Sequence, residues 1–490
     1  MTSRAQVMAI ATTCFAGFGG FLYGYDTGYI SGVKEMPYFK LKFGDTIDAA
    51  GAIALSSGRN SVITSIMSVG TFCGALGAYS VGDFFGRRYG IIFFLGLFSI
   101  GIACQTAATS YASVVVGRVF AGFGVGGTSC LVPMYQAECA PKGIRGAIVG
   151  GYQWVRNLAL GFEVFLYLAS VLTVPSPPGN HYRTPDLVVN ATQDFNNASA
   201  YRIPIGVQFI WAAILGVGLL FLPESPRWLI MKDRELEARK CISRIISHPL
   251  DSPEVDEEYA EIHANLLHER SVGQTSYLDC FRNGEGRNAL RVWSGIGIQA
   301  LQQLTGINFI FYYGIATAVV NVGCTPFGLY LIERVGRRPL LMYGAFGMAV
   351  SQFIVAIVGT VCDDTNMPAQ RTLVGFVCIF VGHFAITWGI GAWVVTSEIY
   401  PLAIRGKAMS MSTASNWLLN FAIGYATPYL GLSLEQVDIL YRNSSMIGSN
   451  AYRMKILAED IHDEGVESEK HHKAVGLEVD HVDDVKTTVA

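Results

Sequence analysis

Long runs without a charged side chain constrain this chain more than any other feature. Stretches free of Asp, Glu, Lys and Arg occupy 5–25, 60–82, 89–117, 119–137, 203–223, 292–332, 339–362, 372–397 and 408–434. A helix needs about 20 apolar residues to cross a hydrocarbon layer about 30 Å thick. The 490 residues are 51% hydrophobic and 15% charged, which is too apolar for soluble domains. The sequence therefore predicts an all-α protein that crosses a membrane repeatedly.

The runs also predict the number of spans and their direction. Most match one span, 292–332 is long enough for two, and 146–174 adds another that carries Arg156 and Glu163, giving about eleven spans. The short loops between alternate spans are basic and are predicted to be cytoplasmic. Because 5–25 lacks the cleavage context of a signal peptide, the amino terminus is expected in the cytosol.

Several functional classes lack a supporting pattern. The ten cysteines are irregularly spaced and lie mostly within apolar runs, unlike a disulfide framework or a metal site. The sequence contains no recognisable arrangement of nucleophile and base and no phosphate-binding loop. We therefore expect no enzyme activity, no metal, no cofactor and no nucleic-acid partner, but a monomer in a lipid bilayer.

Two motifs occur twice and divide the chain into related halves. Glu-x-x-Pro-x-x-x-Arg-Gly starts at Glu138 and again at Glu398, and Gly-Arg-Arg starts at Gly86 and at Gly336. The predicted organisation is an N-terminal bundle, a polar cytoplasmic linker with helical patches, a C-terminal bundle and a polar, disordered tail, at 1–230, 231–291, 292–434 and 435–490. Parallel repeats around a central cavity are typical of transporters that alternate between two open states.

Charged residues at the ends of spans are predicted to form ion pairs that close the cytoplasmic side. The alternative is that they only satisfy the positive-inside rule and cap helices. The predicted gating residues are Asp83, Arg87, Arg88, Glu138, Arg145, Glu224 and Arg227 in the first half, and Glu333, Arg334, Arg337, Arg338, Glu398 and Arg405 in the second.

Four motifs together resemble the sugar porter family of the major facilitator superfamily, and most of all the fungal hexose permeases. They are Asp83-Phe-Phe-Gly-Arg-Arg88, Pro133-x-Tyr-x-x-Glu-x-Ala-Pro-x-x-x-Arg-Gly146, Pro223-Glu-Ser-Pro-Arg-Trp-Leu229 and Gln302-Gln-Leu-Thr-Gly-Ile-Asn308. The resemblance extends to about Asn443 and implies two six-helix-type bundles in the plasma membrane that move a hexose such as glucose.

Amide side chains within apolar spans are the second functional signal. An amide both donates and accepts hydrogen bonds, which suits a ring of neutral hydroxyl groups. The family resemblance implies that the sugar is bound by Gln153, Gln302, Gln303, Asn308, Tyr312, Asn321, Trp393 and Asn416. The alternative is that each amide simply bonds to a neighbouring helix.

Asp26 and Arg118 are predicted to be a proton-coupling pair. Asp26 follows the uncharged run 5–25, and a charge inside a span costs about 2.5–3.5 kcal/mol. Arg118 lies between two uncharged runs and is the expected counter-ion, and in proton-coupled members of the family the matching residues form the proton switch. A permanent ion pair, facilitated diffusion without coupling, and a sugar sensor that does not transport remain the alternatives.

The chain departs from the family pattern at three places. Arg156 and Glu163 replace small residues in the fifth span and are predicted to pair along one helical face. The chain is short between Tyr313 and Asn321, so the seventh and eighth spans are compressed. The sequence from Gly431 onward normally follows the last span, so we expect the twelfth span to be absent.

Overall fold

The computed structural model describes residues 11, 13–47, 53–140, 144–173, 187–192, 195, 197–271, 276–282, 287–307, 315–362, 367–401 and 404–426. These residues divide into two compact units. One holds the described residues before Ser56 and those from Asn60 to Tyr425, and the other holds Ser56–Arg59 and Ala426.

The first half and the linker are mainly helical. Their helices are α1 (Gly19–Val33), α2 (Pro37–Phe43), α3 (Ser57–Phe84), α4 (Arg87–Thr106), α5 (Tyr111–Cys139), α6 (Arg145–Thr173), α7 (Leu187–Thr192), α8 (Ser199–Gly206), α9 (Gln208–Phe221), α10 (Pro226–Met231), α11 (Glu235–Ile246) and α12 (Pro253–Ser271). A short antiparallel pair, β1 (Thr46–Ile47) and β2 (Ile53–Ala54), follows α2.

The second half continues the helical fold. Its helices are α13 (Asn288–Leu304), α14 (Ile315–Arg334), α15 (Arg337–Val361), α16 (Met367–Ile386), α17 (Trp388–Glu398) and α18 (Arg405–Ala426). A single 3₁₀ turn at Leu278–Phe281 precedes α13.

Within the described residues, 6 helical segments are long and apolar enough to cross a membrane, at Gly58–Phe84, Arg87–Thr106, Tyr111–Cys139, Ser199–Phe221, Arg337–Val361 and Arg371–Glu398. The predicted all-α, membrane-spanning class is confirmed, whereas the count of about eleven spans stays a prediction. The expected loss of the twelfth span and the tail 435–490 lie outside the described residues.

Small residues let α3 and α5 approach closely. A Cβ atom at Gly70 would collide with the carbonyl oxygen of Val119, and one at Gly122 would collide with that of Met67. Helices within a membrane commonly pack through such small residues, because lipid provides no hydrophobic force that joins them. Because Val119 follows Arg118, this backbone contact lies beside the residue whose side chain reaches α1.

The repeated Gly-Arg-Arg motif gives the same local geometry twice. Gly86 and Gly336 have φ values of +93° and +89°, a region that favours glycine, and a helix begins at the next residue. Arg87 donates from Nη1 to the carbonyl of Gly82 at 3.0 Å, and Arg337 does the same to Ile332 at 3.2 Å. The sequence repeat is therefore a structural repeat down to single hydrogen bonds.

The linker packs as a small helical layer of its own. Side chains from α10, α11 and α12 form a separate apolar cluster that includes Trp228, Ala238, Cys241 and Leu266. The helical patches expected from its sequence are present, and the division of the chain at 230 and 291 stays a prediction.

Candidate functional site

Asp26 and Arg118 meet inside the bundle. Arg118 Nη2 on α5 lies 3.3 Å from Asp26 Oδ2 on α1, and their side chains are 2% and 1% exposed. Arg118 also donates from Nη1 to the hydroxyl of Tyr29 at 3.3 Å, and that hydroxyl donates to Gln105 Oε1 at 3.4 Å. The pair therefore belongs to a buried polar network, in which sequence reasoning missed Tyr29 and Gln105.

A small cavity lies next to this pair. It has a volume of about 40 Å³ and is lined by Asp26 and Arg118 from the first half and by Trp417 and Asn420 from the second. This volume exceeds the roughly 10–15 Å³ that one water molecule needs. Asp26 thus faces a polar space at the junction of the two halves.

Three glutamines of α13 converge on Asn416 of α18. Asn416 Nδ2 donates to Gln299 Oε1 at 2.8 Å and to Gln302 Oε1 at 2.9 Å, and Gln303 Nε2 donates to Asn416 Oδ1 at 3.0 Å. The structure thus brings together three of the predicted sugar-binding residues. Gln299 was missed, although it lies one turn before Gln302 and Gln303 and so shares their helical face.

A second amide chain joins the two halves. Gln153 Nε2 donates to Asn157 Oδ1 at 3.4 Å, and Asn157 Nδ2 donates to Asn321 Oδ1 at 3.0 Å and Thr325 Oγ1 at 3.1 Å. Asn157 was also missed, and its position four residues after Gln153 is the signal that could have found it. Asn308 and Tyr312 lie outside the described residues.

Three polar atoms between the halves are buried without a hydrogen bond among the described residues. They are Gln153 Oε1, Asn321 Nδ2 and Trp393 Nε1. The ring of Trp393 lies edge-on to Tyr152 at 5.6 Å, so Trp393 packs next to the residue that precedes Gln153. Buried polar atoms are normally paired, and unpaired ones at one junction indicate a place for a polar ligand.

The unusual Arg156 lies at the same junction. It is 7% exposed, and its guanidinium stacks at 4.4 Å over the ring of Tyr23, which itself packs edge-on against Trp417 at 4.8 Å. The side chain of Glu163, which is expected to pair with Arg156, lies outside the part of the chain that the structure describes. Arg156 on α6 therefore contacts the aromatic ring of Tyr23 on α1.

The gating residues of the first half form a compact buried cluster. Arg87 Nε lies 2.9 Å from Glu138 Oε2, and these side chains are only 7% and 6% exposed. Ser225 Oγ donates to Glu138 at 2.5 Å, while Glu224 accepts the backbone N–H groups of Arg87 and Arg88 at the start of α4. Burial raises the pKa of Glu224, although the N–H groups of Ser225 and Arg88 oppose this effect.

The matching cluster of the second half is more open. Arg337 Nη2 lies 3.0 Å from Glu398 and 3.4 Å from Glu333, and all three side chains are about a third exposed. Glu333 Oε1 also accepts the backbone N–H of Ala147 at 3.0 Å, so this carboxylate bridges the halves. The difference arises because α10 and the residues before it cover the first cluster.

The other predicted gating residues have different neighbours. Asp83 is 3.4 Å from Lys232, and the Arg334 guanidinium lies over Tyr330 at 5.1 Å. Arg338 is exposed and forms no ion pair within the described part of the chain. A cavity of about 720 Å³ between the bundle and the linker is lined by Glu138, Arg145, Arg227 and Arg405.

Comparison with known proteins adds independent evidence. The model of the family described as "Sugar (and other) transporter" matches residues 12–316 and 314–441, in two segments that meet where the chain is predicted to be short. The chain is 45% identical to the major facilitator-type transporter ecdD of Aspergillus rugulosus, over 86% of this chain and 78% of that protein. It is 41% identical to the probable glucose transporter rco-3 of Neurospora crassa, over 86% and 70%.

Two further similarities concern a sensor and a solved structure. The chain is 39% identical to the high glucose sensor RGT2 of Saccharomyces cerevisiae over 90% of its own length, but it spans only 56% of that protein. The solved proton:xylose symporter XylE has the same fold, with a TM-score of 0.71, 24% identity and coverage of 92% of this chain and 95% of that one.

These matches and the apolar helices show a multi-pass membrane protein. Members of the matched family are transporters rather than enzymes. The chain belongs to the sugar transporter family of the major facilitator superfamily.

Proposed function

We propose that this chain moves a hexose, such as glucose, across the plasma membrane by alternating access of its two halves. The observation that carries the proposal is the set of unpaired polar atoms of Gln153, Asn321 and Trp393 at the junction of the halves. A sugar hydroxyl can donate to the free amide oxygen and accept from the free N–H groups. The proposed sugar site is Gln153, Gln302, Gln303, Asn308, Tyr312, Asn321, Trp393 and Asn416.

Proton coupling is the finer part of the proposal. The Asp26–Arg118 pair is almost fully buried and adjoins the small cavity between the halves. Protonation of Asp26 would weaken its attraction to Arg118 and change the balance between the two open states. A proton gradient could then drive sugar uptake.

The charged clusters act as the proposed cytoplasmic gate. Glu333 of the second half accepts a hydrogen bond from Ala147 of the first, so opening that side must break this contact. We propose in addition that the protein is a monomer, that its amino terminus is cytoplasmic, and that 231–291 is a cytoplasmic linker between bundles at 1–230 and 292–434.

Uptake of radiolabelled glucose at acid and neutral pH tests the proposal. The chain is expressed in cells that lack their own hexose permeases, and its surface abundance is measured in parallel. We expect uptake that is faster at acid pH and collapses with a protonophore. Asp26→Asn should abolish this accumulation, whereas unchanged accumulation would remove Asp26 from the mechanism.

A sugar sensor is the rival function, favoured by the 39% identity to the high glucose sensor RGT2. A sensor would bind glucose without useful flux. Glucose binding to the purified chain combined with no uptake by surface-expressed protein would favour this alternative, and uptake that is independent of pH would favour facilitated diffusion.

A further inference from the structure

A basic cavity lies where the first half meets the linker, apart from the proposed sugar site. It has a volume of about 510 Å³, within the usual range for small-molecule sites. Its walls come from the start of α4, the segment after α9, and α10 and α11, and they include Arg88, Arg234, Lys240 and Arg244. Arg88 is also one of the predicted gating residues, whereas the proposed transport cycle does not use Arg234, Lys240 or Arg244.

Local pairing leaves a net positive charge in this cavity. Arg234 forms an ion pair with Glu237 at 2.6 Å, and the carboxylate of Glu224 accepts backbone N–H groups. Lys240 and Arg244 are exposed, and neither forms a salt bridge with a described residue. The Arg88 guanidinium donates to the neutral carbonyl of Leu222 at 2.9 Å and to the hydroxyl of Tyr89 at 2.6 Å. The side chains of Arg88, Lys240 and Arg244 thus line one space, and none of them forms a salt bridge with a carboxylate in the described part of the chain.

Exposed apolar side chains of two candidate membrane spans lie beside the cavity. Tyr89 lines it and is 49% exposed, and Phe93, one turn further along α4, is 44% exposed. Phe221 at the end of α9 is 79% exposed and immediately precedes Leu222, whose carbonyl binds Arg88. The helices α4 and α9 pack against each other, so these exposed apolar side chains lie on neighbouring spans next to the charged cavity.

We propose that this cavity binds the headgroup of an anionic phospholipid through Arg88, Lys240 and Arg244. The planar guanidinium groups suit phosphate oxygens, and basic pockets between membrane helices on the cytoplasmic side bind phosphorylated headgroups. Free phosphate shares this chemistry, but the exposed Tyr89, Phe93 and Phe221 provide a place for acyl chains. Only the assignment to the cytoplasmic leaflet rests on the proposed topology.

Such a lipid would join the linker to the bundle. Arg88 belongs to the start of a membrane span, whereas Lys240 and Arg244 lie on the linker helix α11. One phosphate group bound by all three would therefore hold α11 against the end of α4. Arg87, next to Arg88, forms the buried pair with Glu138, so the site adjoins the proposed gate.

The test is native mass spectrometry of the full-length chain, purified in neutral detergent, with dioctanoyl phosphatidic acid as the probe. We expect one phosphatidic acid to bind in preference to dioctanoyl phosphatidylcholine. The double variant Lys240→Gln/Arg244→Gln should lose affinity about 30-fold, because each basic residue near a charged headgroup contributes about fivefold. Lys240→Gln alone, which changes one exposed side chain, should lose about fivefold.

The matched control is Arg239→Gln/Arg282→Gln, which removes one half-buried and one exposed cation, both of which form ion pairs outside the cavity. Its affinity should equal that of the parent chain. Equal binding of phosphatidylcholine, or full affinity in the Lys240 and Arg244 variants, would overturn the proposal. Displacement of the lipid by an equal concentration of glycerol 3-phosphate would show a site for free phosphate and overturn the lipid assignment. The measurement needs no sugar, so its outcome is independent of the proposed transport.

Discussion

At the scale of single residues, the least expected feature is Asn157, which connects the amides of the two halves. It accepts from Gln153 and donates to Asn321 and Thr325. A buried hydrogen bond contributes about 0.5–1.5 kcal/mol, and an orphaned partner costs more. Asn157 therefore orders two side chains of the proposed sugar site.

We expect Asn157→Ala to weaken glucose uptake, with a KM raised about tenfold, which corresponds to about 1.4 kcal/mol. The measurement is the concentration dependence of initial uptake at equal surface abundance. Asn420→Ala is the matched control, because Asn420 bonds Ser68 at 3.3 Å and lies outside the proposed sugar site. A KM that is the same in both variants would show that Asn157 does not order the sugar site.

Tyr29 provides a second residue-scale prediction, because its hydroxyl contacts Arg118 and Gln105. Tyr29→Phe removes one donor and one acceptor from this network, so the pH at which uptake is half-maximal should move. Tyr25→Phe is the control, since the Tyr25 hydroxyl donates to the carbonyl of Pro204 at 3.1 Å and its removal is expected to leave the pH profile unchanged. A profile that moves equally in both variants would contradict this role.

At the scale of elements, the packing of α3 against α5 depends on backbone contact. An alanine at Gly70 would place a Cβ against the carbonyl of Val119, whereas Gly77, on the same helix, has nothing within 4 Å of its added Cβ. Overpacking costs about 1–3 kcal/mol, while glycine to alanine inside an open helix gains about 0.5–1 kcal/mol.

We therefore expect Gly70→Ala to lower the thermal unfolding midpoint and Gly77→Ala to maintain or raise it. The comparison uses purified protein in one detergent, so that both variants share the same conditions. Because Arg118 is on α5, separation of these helices should also weaken pH-dependent uptake in Gly70→Ala. Equal unfolding midpoints for the two variants would show that the helices relax without strain.

At the scale of the whole molecule, the two halves repeat one motif in different surroundings. Arg87 and Glu138 are buried, but Arg337 and Glu398 are about a third exposed. Removing one partner of a buried pair costs about 3–5 kcal/mol, whereas an exposed pair contributes about 0–1 kcal/mol. The two motifs thus have the same geometry, but breaking the ion pair of the first half is expected to cost more stability than breaking that of the second.

Glu138→Gln is therefore expected to destabilise the protein by about 3–5 kcal/mol and Glu398→Gln by no more than about 1 kcal/mol. Unfolding measured at low and at high salt tests the difference, because salt screens exposed pairs more than buried ones. The stability lost in Glu398→Gln should diminish in 1 M salt, while that lost in Glu138→Gln should persist. The opposite order of stabilities would refute the asymmetry.

The sequence by itself determined the features that depend on local chemistry. Uncharged runs indicated membrane helices, and the paired motifs at Glu138 and Glu398 indicated two related halves. The family resemblance was confirmed by comparison, and Asp26 was matched to Arg118 because an isolated charge in a span needs a partner. None of these inferences required knowledge of which helices are neighbours.

Only the tertiary structure decided which side chains meet. In the sequence, nothing distinguishes Gln299, Asn157 or Tyr29 from other polar residues. The first two bond residues more than a hundred positions away, and Tyr29 bonds Arg118 on another helix. The unequal burial of Arg87 and Arg337 has the same cause. Their motifs are alike, but the first is covered by α10 and the residues before it, which is a long-range contact. The periodicity of a sequence describes only the face of each helix.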